Sequence, residues 1–428
     1  MKVIITPSKI SGTVSAPSSK SLSHRALITA SLSDGISEID NLSDCRDVLL
    51  TLAGLQSLGA GIILKKKQVR ISTGSLLKPD KQVRCIDCGD SGTSARFLTA
   101  VATVSGKKIL IDGSRRLRTR PMAELIRLLR LNGAHIKETH KNGQLPLEIY
   151  PAKLTGGSFR INSDDSSQFI SAMLLIAPLM EKALRLNING NHSRPYIDMT
   201  VETMEKFGLK IKTLKNNLSV SENQHYRARK LTLEGDYSAA AYFFAAAMMT
   251  QSTVTVKNLK TASLQADRRF LSVASEMGAH VRIKNKGTVE ISGKEKKYRG
   301  LKINLGQSPD LVPVVAVLAG NTTGPIEIYD IAHLRHKESD RIKSLTHNLT
   351  MMGLKVNTSE SKLKVFPGLL QAARIDAFDD HRICMAFTVA ALAAGGQTVI
   401  KGAESVNKSY PGFFADLLKL GAKVRLSS

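Results

Sequence analysis

The chain has 428 residues, of which 42% are hydrophobic and 23% are charged, and it carries a formal net charge of +25. That length predicts two or three domains, and the composition is normal for a globular protein. No apolar run approaches the roughly 18 residues that a membrane-spanning helix needs, and the first residues lack the features of a signal peptide. We therefore expect a cytoplasmic protein with no membrane partner.

The large positive net charge is compatible with two classes of partner. One is a nucleic acid, and the other is a small substrate with several negative charges. Aromatic residues make up 5% of the chain and Trp is absent, whereas proteins that bind single strands stack bases on aromatic side chains. Because no basic run is interleaved with aromatic residues, the small anionic substrate is favoured and no nucleic-acid partner is expected.

The first predicted helix opens with the stretch SSKSLSHRA, residues 18–26. Ser21 and Arg25 are four residues apart and therefore share one helix face, and Lys20 lies at the N-terminal end. No acidic residue lies beside these cations in the stretch. We therefore expect the substrate to supply the balancing negative charge.

Five later segments resemble this first one, because each begins with small or polar residues and becomes an apolar helix. In chain order the six are SSKSLSHRALITA, GDSGTSARFLTAVA, DDSSQFISAMLLIA, GDYSAAAYFFAAAM, SPDLVPVVAVLAG and DDHRICMAFTVAALA. Their Ser, Asp or Gly residues suit helix N-caps, and their apolar runs predict interior helices. Parallel packing would gather their N-termini, which attract anions, although capping alone also explains these residues.

Each such helix is followed by an amphipathic helix, a glycine and an alternating strand. The marker glycines are Gly59, Gly133, Gly208, Gly278, Gly353 and Gly421, at spacings of 68 to 75 residues. Glycine at this point suits a left-handed helix C-cap. Six units of about 70 residues predict an α/β fold of two domains, each with three repeats.

A basic loop, DGSRRLRTRPM, follows the second repeat's apolar helix. Its arginines are Arg115, Arg116, Arg118 and Arg120. They indicate either a solvated loop or part of an anion site, and Pro121 suits the start of the next helix.

Charged residues also mark the second half of the chain. Asp310 stands at a helix start as a candidate base or hydroxyl acceptor. Lys337 and Arg341 are four residues apart in HKESDR, which suits either a substrate site or an ordinary salt-bridged surface helix. The stretch DDHR places Asp380, His381 and Arg382 before a buried helix, where capping explains the aspartate but not the arginine.

The four cysteines offer little chemistry. Cys85 and Cys88 form a CxxC pair with no second pair of ligands nearby, so reduced thiols are expected rather than a metal site. No P-loop and no convincing GxGxxG pattern is present, so nucleotide binding has no support. Together these features predict a cleft rich in Arg, Lys, Ser and helix N-termini for a substrate with several negative charges.

The chain resembles the 3-phosphoshikimate 1-carboxyvinyltransferase (EPSP synthase) family through ordered motifs along nearly its whole length. The motifs are SSKSLSHRA, DSGTSAR, RTRPM, DSSQF, SRPYIDMT, EGDYSAA, SPD, HKESDR, DDHR and NKSYPGFF. The resemblance implies the enolpyruvyl transferase fold: two inside-out α/β domains, each of three repeated units with buried parallel helices. It implies one domain of residues 1–18 plus 235–428, a second of 19–234, and an active site in the cleft between them.

The resemblance also implies an activity. The 5-hydroxyl of shikimate 3-phosphate adds to C2 of phosphoenolpyruvate while C3 is protonated, and the intermediate then loses phosphate to leave an enolpyruvyl ether. This step leads to chorismate and the aromatic amino acids. No metal or organic cofactor is implied, the two substrates are the only partners, and we expect a monomer.

Matching the motifs implies a set of site residues. Shikimate 3-phosphate is expected to contact Lys20, Ser21, Arg25, Ser166, Ser167, Gln168, Ser193, Tyr196, Asp310, His333 and Lys337. Phosphoenolpyruvate is expected to contact Lys20, Gly92, Arg120, Gln168, Arg341, Arg382 and Lys408. Asp310 would orient or deprotonate the 5-hydroxyl, and Lys20 and Glu338 are the candidates for moving the proton at C3.

Three positions depart from the usual family pattern. Asp90 and His333 stand where Asn is common, and Phe97 stands where many members have Pro, which leaves sensitivity to glyphosate open. The related transferase that acts on UDP-N-acetylglucosamine typically has Lys-Asn in the first motif and a loop cysteine. This chain has Lys20-Ser21 and no cysteine in DGSRRLRTRP, so that alternative is disfavoured.

Overall fold

A computed structural model describes residues 1–140, 143–162, 166–190, 193–285 and 287–427. The chain forms two compact units. The terminal unit comprises Met1–Ser18 and Glu234–Ser428, and the central unit comprises Ser19–Leu233.

The strands lie in short stretches along the whole described chain. The first twelve are β1 (Lys2–Thr6), β2 (Gly12–Ser15), β3 (Ile36–Asp40), β4 (Gly61–Lys65), β5 (Gln68–Ser72), β6 (Asp80–Asp87), β7 (Lys107–Asp112), β8 (His135–Glu138), β9 (Leu147–Tyr150), β10 (Gly157–Asn162), β11 (Leu184–Asn189) and β12 (Ile211–Leu214). The remaining strands are β13 (Asn217–Val220), β14 (Lys230–Thr232), β15 (Thr253–Lys257), β16 (His280–Asn285), β17 (Thr288–Ser292), β18 (Leu301–Asn304), β19 (Ile326–Tyr329), β20 (Val356–Thr358), β21 (Lys362–Val365), β22 (Arg374–Asp376), β23 (Thr398–Lys401) and β24 (Lys423–Ser427).

Helices alternate with these strands. The α-helices are α1 (Lys20–Ser31), α2 (Arg46–Leu58), α3 (Gly92–Val104), α4 (Arg115–Arg118), α5 (Ala123–Leu131), α6 (Ser167–Ile176), α7 (Arg194–Lys206), α8 (Tyr237–Met249), α9 (Phe270–Met277), α10 (Val312–Val317), α11 (Arg341–Met351), α12 (His381–Ala391) and α13 (Phe413–Lys419). Short 3-10 helices lie at Ala177–Leu179, Ala266–Arg269, Pro309–Leu311, Leu318–Asn321, Ala332–His336 and Ala403–Lys408.

The described residues of the central unit form three four-stranded sheets. Their strand orders are β14-β3-β5-β4, β6-β7-β9-β8 and β10-β11-β13-β12. In every one the first pair of strands is parallel and the other two pairs are antiparallel. The repeated strand order shows that the sequence repeats are structural repeats.

The terminal unit follows the same plan in its described part. Its sheets have the orders β22-β23-β1-β24, β16-β17-β15-β2 and β18-β19-β21-β20, each with one parallel and two antiparallel pairs. Strands β1 and β2 come from the N-terminus and complete sheets whose other strands lie beyond residue 252. The N-terminal segment is therefore an integral part of this unit.

Interior helices fill the space between the sheets of each unit. In the central unit α1, α3 and α6 contact one another, and in the terminal unit α8, α10 and α12 do so. Most of their residues are buried, and α8 buries every residue except Ser238. A helix that is apolar on all sides is stable only in such an interior position, so the prediction of interior helices is confirmed.

The marker glycines end the outer helices. All six have positive φ, between 86° and 109°, and at Gly59 and Gly278 the glycine is itself the left-handed C-cap of α2 and α9. Glycine adopts this conformation without the steric cost of a Cβ atom. The predicted helix-glycine-strand pattern is therefore confirmed in each repeat.

Candidate active site

The first turn of α1 holds Lys20 in an ion pair. Its Nζ lies 3.1 Å from Oδ2 of Asp47, a buried residue in the first turn of α2. The expectation that only the substrate would balance this cation is therefore wrong for Lys20. The balancing acid comes from the next helix, 27 residues along the chain.

Arg25 is held by uncharged oxygens. Nε donates to Thr200 Oγ1 at 2.7 Å, Nη1 donates to the Ser21 carbonyl at 2.9 Å, and Nη2 donates to the Tyr196 carbonyl at 2.8 Å and to Ser171 Oγ at 3.3 Å. Burial lowers the pKa of Arg25 to about 10, so the group remains a cation at neutral pH. Since none of these partners is a carboxylate, the geometry fits an anion site at Arg25.

Phe97, one of the positions that depart from the usual family pattern, lies directly beside Arg25. The Cζ atom of Arg25 lies 5.4 Å from the centroid of the Phe97 ring, and the ring is 1% exposed. A cation over an aromatic ring is attracted by the electrons of its face. Phe97 therefore supports Arg25 from the body of α3.

Arg96 links the second and third interior helices and was missed by the sequence analysis. Its Nη1 donates to Oε1 of Gln168 at 2.6 Å and to Oγ of Ser166 at 3.3 Å, while Nη2 donates to the Pro121 carbonyl at 3.1 Å. Gln168 in turn donates to Thr93 Oγ1 at 2.9 Å. Because Arg96 lies four residues after Gly92 on α3, its position on the same helix face was the available signal.

The N-terminus of α6 is built as predicted. The Ser166 side chain caps the helix by accepting from the Gln168 backbone N–H, and Ser167 is the buried first residue. Asp165 of the same motif lies outside the described residues. The described cap leaves a helix N-terminus next to the Arg96 guanidinium, which favours a negatively charged ligand.

Gly92 and Arg120 lie against each other at the start of α3. A Cβ atom added to Gly92 would lie 2.7 Å from both Cζ and Nη1 of Arg120. Arg120 is buried, whereas Arg115, Arg116 and Arg118 are exposed. The alternative of a solvated basic loop therefore holds for those three and fails for Arg120.

Ser193 and Tyr196 lie at the start of α7. Ser193 is buried with φ 57°, a left-handed conformation that is uncommon for a residue with a side chain. Non-glycine residues in this conformation are enriched at ligand-binding sites. The Tyr196 carbonyl accepts from Arg25, so α7 joins the group of helix N-termini in the central unit.

Asp310 forms the centre of a charged cluster in the terminal unit. Its Oδ1 accepts from Arg341 Nη1 at 2.7 Å and its Oδ2 accepts from Arg382 Nη2 at 2.9 Å. The carboxylate lies in the 3-10 helix Pro309–Leu311 and is partly exposed. Two guanidinium groups beside one carboxylate favour its ionised form, which can accept a hydrogen bond from a substrate hydroxyl.

Arg341 is buried among three carboxylates. Besides Asp310 it donates from Nε to Asp380 Oδ2 at 2.8 Å and from Nη2 to Glu338 Oε2 at 2.9 Å. Burial acts to lower the pKa of Arg341, but the three negative charges outweigh it and raise that pKa. With its side chain 1% exposed, Arg341 does not belong to an ordinary surface helix, and that alternative is wrong here.

The three remaining predicted residues of the terminal unit follow sheet strands. His333 is buried in the 3-10 helix after β19, and the partly buried Lys337 follows that helix. Lys408 is buried at the end of the 3-10 helix after β23.

Asp90 is one of the three positions that depart from the usual family pattern. It lies in the central unit and accepts a hydrogen bond from Ser114.

Asp267 is a buried carboxyl group that the sequence analysis missed. It is 1% exposed and accepts a hydrogen bond from the Ser238 hydroxyl. Burial and the charge of Asp310 raise the pKa of Asp267 to about 7, while Arg382 opposes the rise. The terminal unit therefore holds Asp267, with its raised pKa, in addition to the carboxylates that pair with arginines.

The described residues show no group of three or more His, Cys, Asp or Glu side chains that could hold a metal ion. The cysteines are free thiols, with Cys85 exposed and Cys88 buried. In the part of the chain that the structure describes, no helix combines the length and the apolar character that crossing a membrane requires.

Comparison with known proteins places this geometry in a family. Residues 4–417 match the family model of EPSP synthase (3-phosphoshikimate 1-carboxyvinyltransferase). The 3-phosphoshikimate 1-carboxyvinyltransferase of Methanocella arvoryzae is 38% identical over 424 residues, with 99% of each chain covered. That of Methanocaldococcus jannaschii is 36% identical over 424 residues, which cover 98% of this chain and 97% of the relative.

A solved structure gives the same result for the fold. EPSP synthase from Acinetobacter baumannii superimposes with a TM-score of 0.86 over 100% of both chains, at 24% sequence identity. The enolpyruvyl transferase fold predicted from the sequence is therefore confirmed.

Proposed function

The chain belongs to the EPSP synthase family, and from this premise we propose that it transfers the enolpyruvyl group of phosphoenolpyruvate to the 5-hydroxyl of shikimate 3-phosphate. The observation that carries the proposal is Asp310 between Arg341 and Arg382. The reaction needs an acceptor for a hydroxyl proton beside cations for a phosphate and a carboxylate. This cluster supplies both kinds of group.

The reaction consists of an addition and an elimination. The 5-oxygen bonds to C2 of phosphoenolpyruvate as it loses its proton, and C3 gains a proton and becomes a methyl group. The C2–O bond to phosphate then breaks, C3 loses a proton, and the double bond returns. The products are an enolpyruvyl ether and inorganic phosphate, so no redox partner is required.

In this proposal the central unit binds much of both substrates. Arg25, supported by α7 and Phe97, binds an anionic group of shikimate 3-phosphate, and the α6 N-terminus contributes Ser166, Ser167 and Gln168. Ser21, Ser193 and Tyr196 complete this set. Arg120, beside Gly92, binds phosphoenolpyruvate.

The terminal unit supplies Asp310 and Glu338 for the acid-base chemistry, and the central unit adds Lys20. Asp310 accepts the proton of the 5-hydroxyl, and Glu338 and Lys20 exchange the proton at C3. When phosphoenolpyruvate binds, its anionic groups share the donors of Arg341 and Arg382 with the carboxylates, and Lys408 adds a further cation. His333 and Lys337 contact shikimate 3-phosphate.

We propose that the active site lies in the cleft between domains 1–18 plus 235–428 and 19–234, since substrate-binding residues occur in both. Small-angle scattering tests whether substrates close the cleft. Shikimate 3-phosphate with glyphosate should reduce the radius of gyration, and an unchanged radius would contradict closure.

A cytoplasmic location and a monomeric state remain predictions. Light scattering checks the monomeric state.

The test of the activity is phosphate release from phosphoenolpyruvate with different acceptors. Release should require shikimate 3-phosphate and should not occur with UDP-N-acetylglucosamine. Release with the sugar nucleotide alone would favour the related transferase. Salt-dependent binding of nucleic acid without turnover would favour the nucleic-acid alternative.

A further inference from the structure

A chain of buried hydrogen bonds joins the first three helices of the central unit. His24 Nδ1 on α1 lies 2.7 Å from Thr51 Oγ1 on α2, and Thr51 Oγ1 lies 2.8 Å from Ser94 Oγ on α3. Ser94 Oγ continues to the Asp47 carbonyl at 3.0 Å and to Ser91 Oγ at 2.7 Å. His24, Thr51, Ser94 and Ser91 are each 0% exposed.

The direction of this chain follows from its acceptors. Ser94 has one hydroxyl hydrogen, and the Asp47 carbonyl can only accept it. In the arrangement that satisfies this carbonyl, Thr51 donates to Ser94 and accepts from His24, which then carries a hydrogen on Nδ1. Because each donor in this chain bonds to the next residue's acceptor, removing one of the hydroxyls or the imidazole N–H would leave a buried polar group without a hydrogen-bond partner.

The chain branches at Ser94, and both branches meet groups assigned to phosphoenolpyruvate. Asp47, whose carbonyl accepts from Ser94, uses its carboxylate to hold Lys20 Nζ. Ser91 caps α3, and Gly92 is the next residue. On α1, Lys20 and His24 are four residues apart, and on α2 Asp47 and Thr51 are four residues apart. The two helices are therefore joined by two polar contacts, one of which continues to α3.

Arg25 is held by a different set of contacts. Its hydrogen bonds go to α6, α7 and the Ser21 carbonyl, and none of these bonds reaches the His24 chain. Disruption of the chain should therefore disturb the Lys20 and Gly92 side of the site. The contacts that hold Arg25 for shikimate 3-phosphate should persist.

We propose that His24, Thr51 and Ser94 are positioning residues that set Lys20 and the N-terminus of α3 for reaction with phosphoenolpyruvate. They act through Asp47 and Ser91 and touch neither substrate. This inference rests on the proposed function, because it takes its consequence from the roles assigned to Lys20 and Gly92.

The first test compares two buried Thr→Val substitutions. Thr51→Val removes the hydroxyl that joins α1 to α3. Thr99→Val removes an equally buried hydroxyl on α3 that donates to the Ala95 carbonyl of its own helix, at 2.7 Å. In Thr51→Val, kcat/KM for phosphoenolpyruvate should fall about tenfold or more, because small displacements of reacting groups are costly. KM for shikimate 3-phosphate should change less than kcat/KM for phosphoenolpyruvate in Thr51→Val, because Arg25 keeps its contacts although Lys20 is shared by both substrates. Thr99→Val should keep wild-type kinetics.

The second test asks whether His24 acts through its donor. Asn places an N–H₂ group on Cγ, as His places Nδ1, whereas Leu has similar bulk and no donor. His24→Asn should retain kcat/KM for phosphoenolpyruvate within about threefold, and His24→Leu should lose about tenfold or more. Thermal unfolding of each variant identifies any that fail to fold.

The outcomes separate this inference from the proposed function. A folded wild-type protein without turnover would contradict the proposed function. Wild-type turnover combined with equal kinetics in Thr51→Val and Thr99→Val would overturn the positioning role. Equal losses in His24→Asn and His24→Leu, or equal rises in KM for both substrates, would overturn it as well.

Discussion

Substitution of Gly92 by alanine tests whether Arg120 holds phosphoenolpyruvate at the start of α3. The added Cβ atom would lie 2.7 Å from Cζ and Nη1 of Arg120 and 3.0 Å from Nη2. Carbon atoms in ordinary contact are about 3.5–4.0 Å apart, so the guanidinium must withdraw by about 1 Å. A displacement of that size can lower the rate by about 100-fold.

The fold should tolerate this change. Gly92 is not among the residues with positive φ, so alanine can adopt its backbone conformation. Alanine also favours a helix by about 1 kcal/mol relative to glycine. We therefore expect the melting temperature to be retained while KM for phosphoenolpyruvate rises and KM for shikimate 3-phosphate changes little.

The assay is steady-state phosphate release with phosphoenolpyruvate varied at saturating shikimate 3-phosphate. Gly278→Ala is the matched control, because a Cβ atom there meets nothing within 4 Å but the residue has φ 109°. That variant should lose stability and keep its KM values. An unchanged KM and kcat in Gly92→Ala would refute the role given to Arg120.

Three further substitutions test other parts of the site. Arg25→Lys keeps the charge but cannot reproduce the bonds to Thr200 and the Tyr196 carbonyl, so KM for shikimate 3-phosphate should rise about tenfold or more; an unchanged KM would argue against Arg25. Asp310→Asn should lower kcat by about 10²–10⁴-fold in the same kinetic assay while circular dichroism stays the same, and near-normal turnover would remove Asp310 from the mechanism. Asp267→Asn tests pH dependence: the folded-state pKa of about 7 lies above the ordinary value of 3.8, so ionisation of Asp267 lowers the stability of the fold, a loss that is absent below pH 4 and complete above pH 7. In urea unfolding at pH 4 to 8, the free energy of unfolding of the variant should rise relative to that of the wild type as pH increases, by at most about 1.4 kcal/mol per pH unit. A pH-independent difference between the two proteins would refute the shifted pKa.

Local patterns predicted the repeats because the determinants of those repeats are local. A glycine after an amphipathic helix indicates a left-handed C-cap, as Gly59 and Gly278 show. A long apolar run indicates an interior helix, as α8 shows. Neither inference needs a distant contact, and both are confirmed by the structure.

The partners of the charged residues could not be predicted in this way. Lys20 appeared to lack an acid because Asp47 lies 27 residues away, and Arg96 meets Gln168 across 72 residues. From the sequence, Arg341 suited a surface helix, because the sequence does not show that Asp310 and Asp380 of other repeats lie beside it. Such pairs depend on how the helices pack, and helix spacing within one segment contains no information about that.

NMR can follow both products of the proposed reaction at once. The purified protein is mixed with shikimate 3-phosphate and phosphoenolpyruvate labelled with ¹³C at C2 and C3. The proposed reaction should give inorganic phosphate in the ³¹P spectrum and, in equal amount, a vinyl ether on the 5-oxygen in the ¹³C spectrum. Unchanged substrates with folded protein, or phosphate released without the ether, would contradict it.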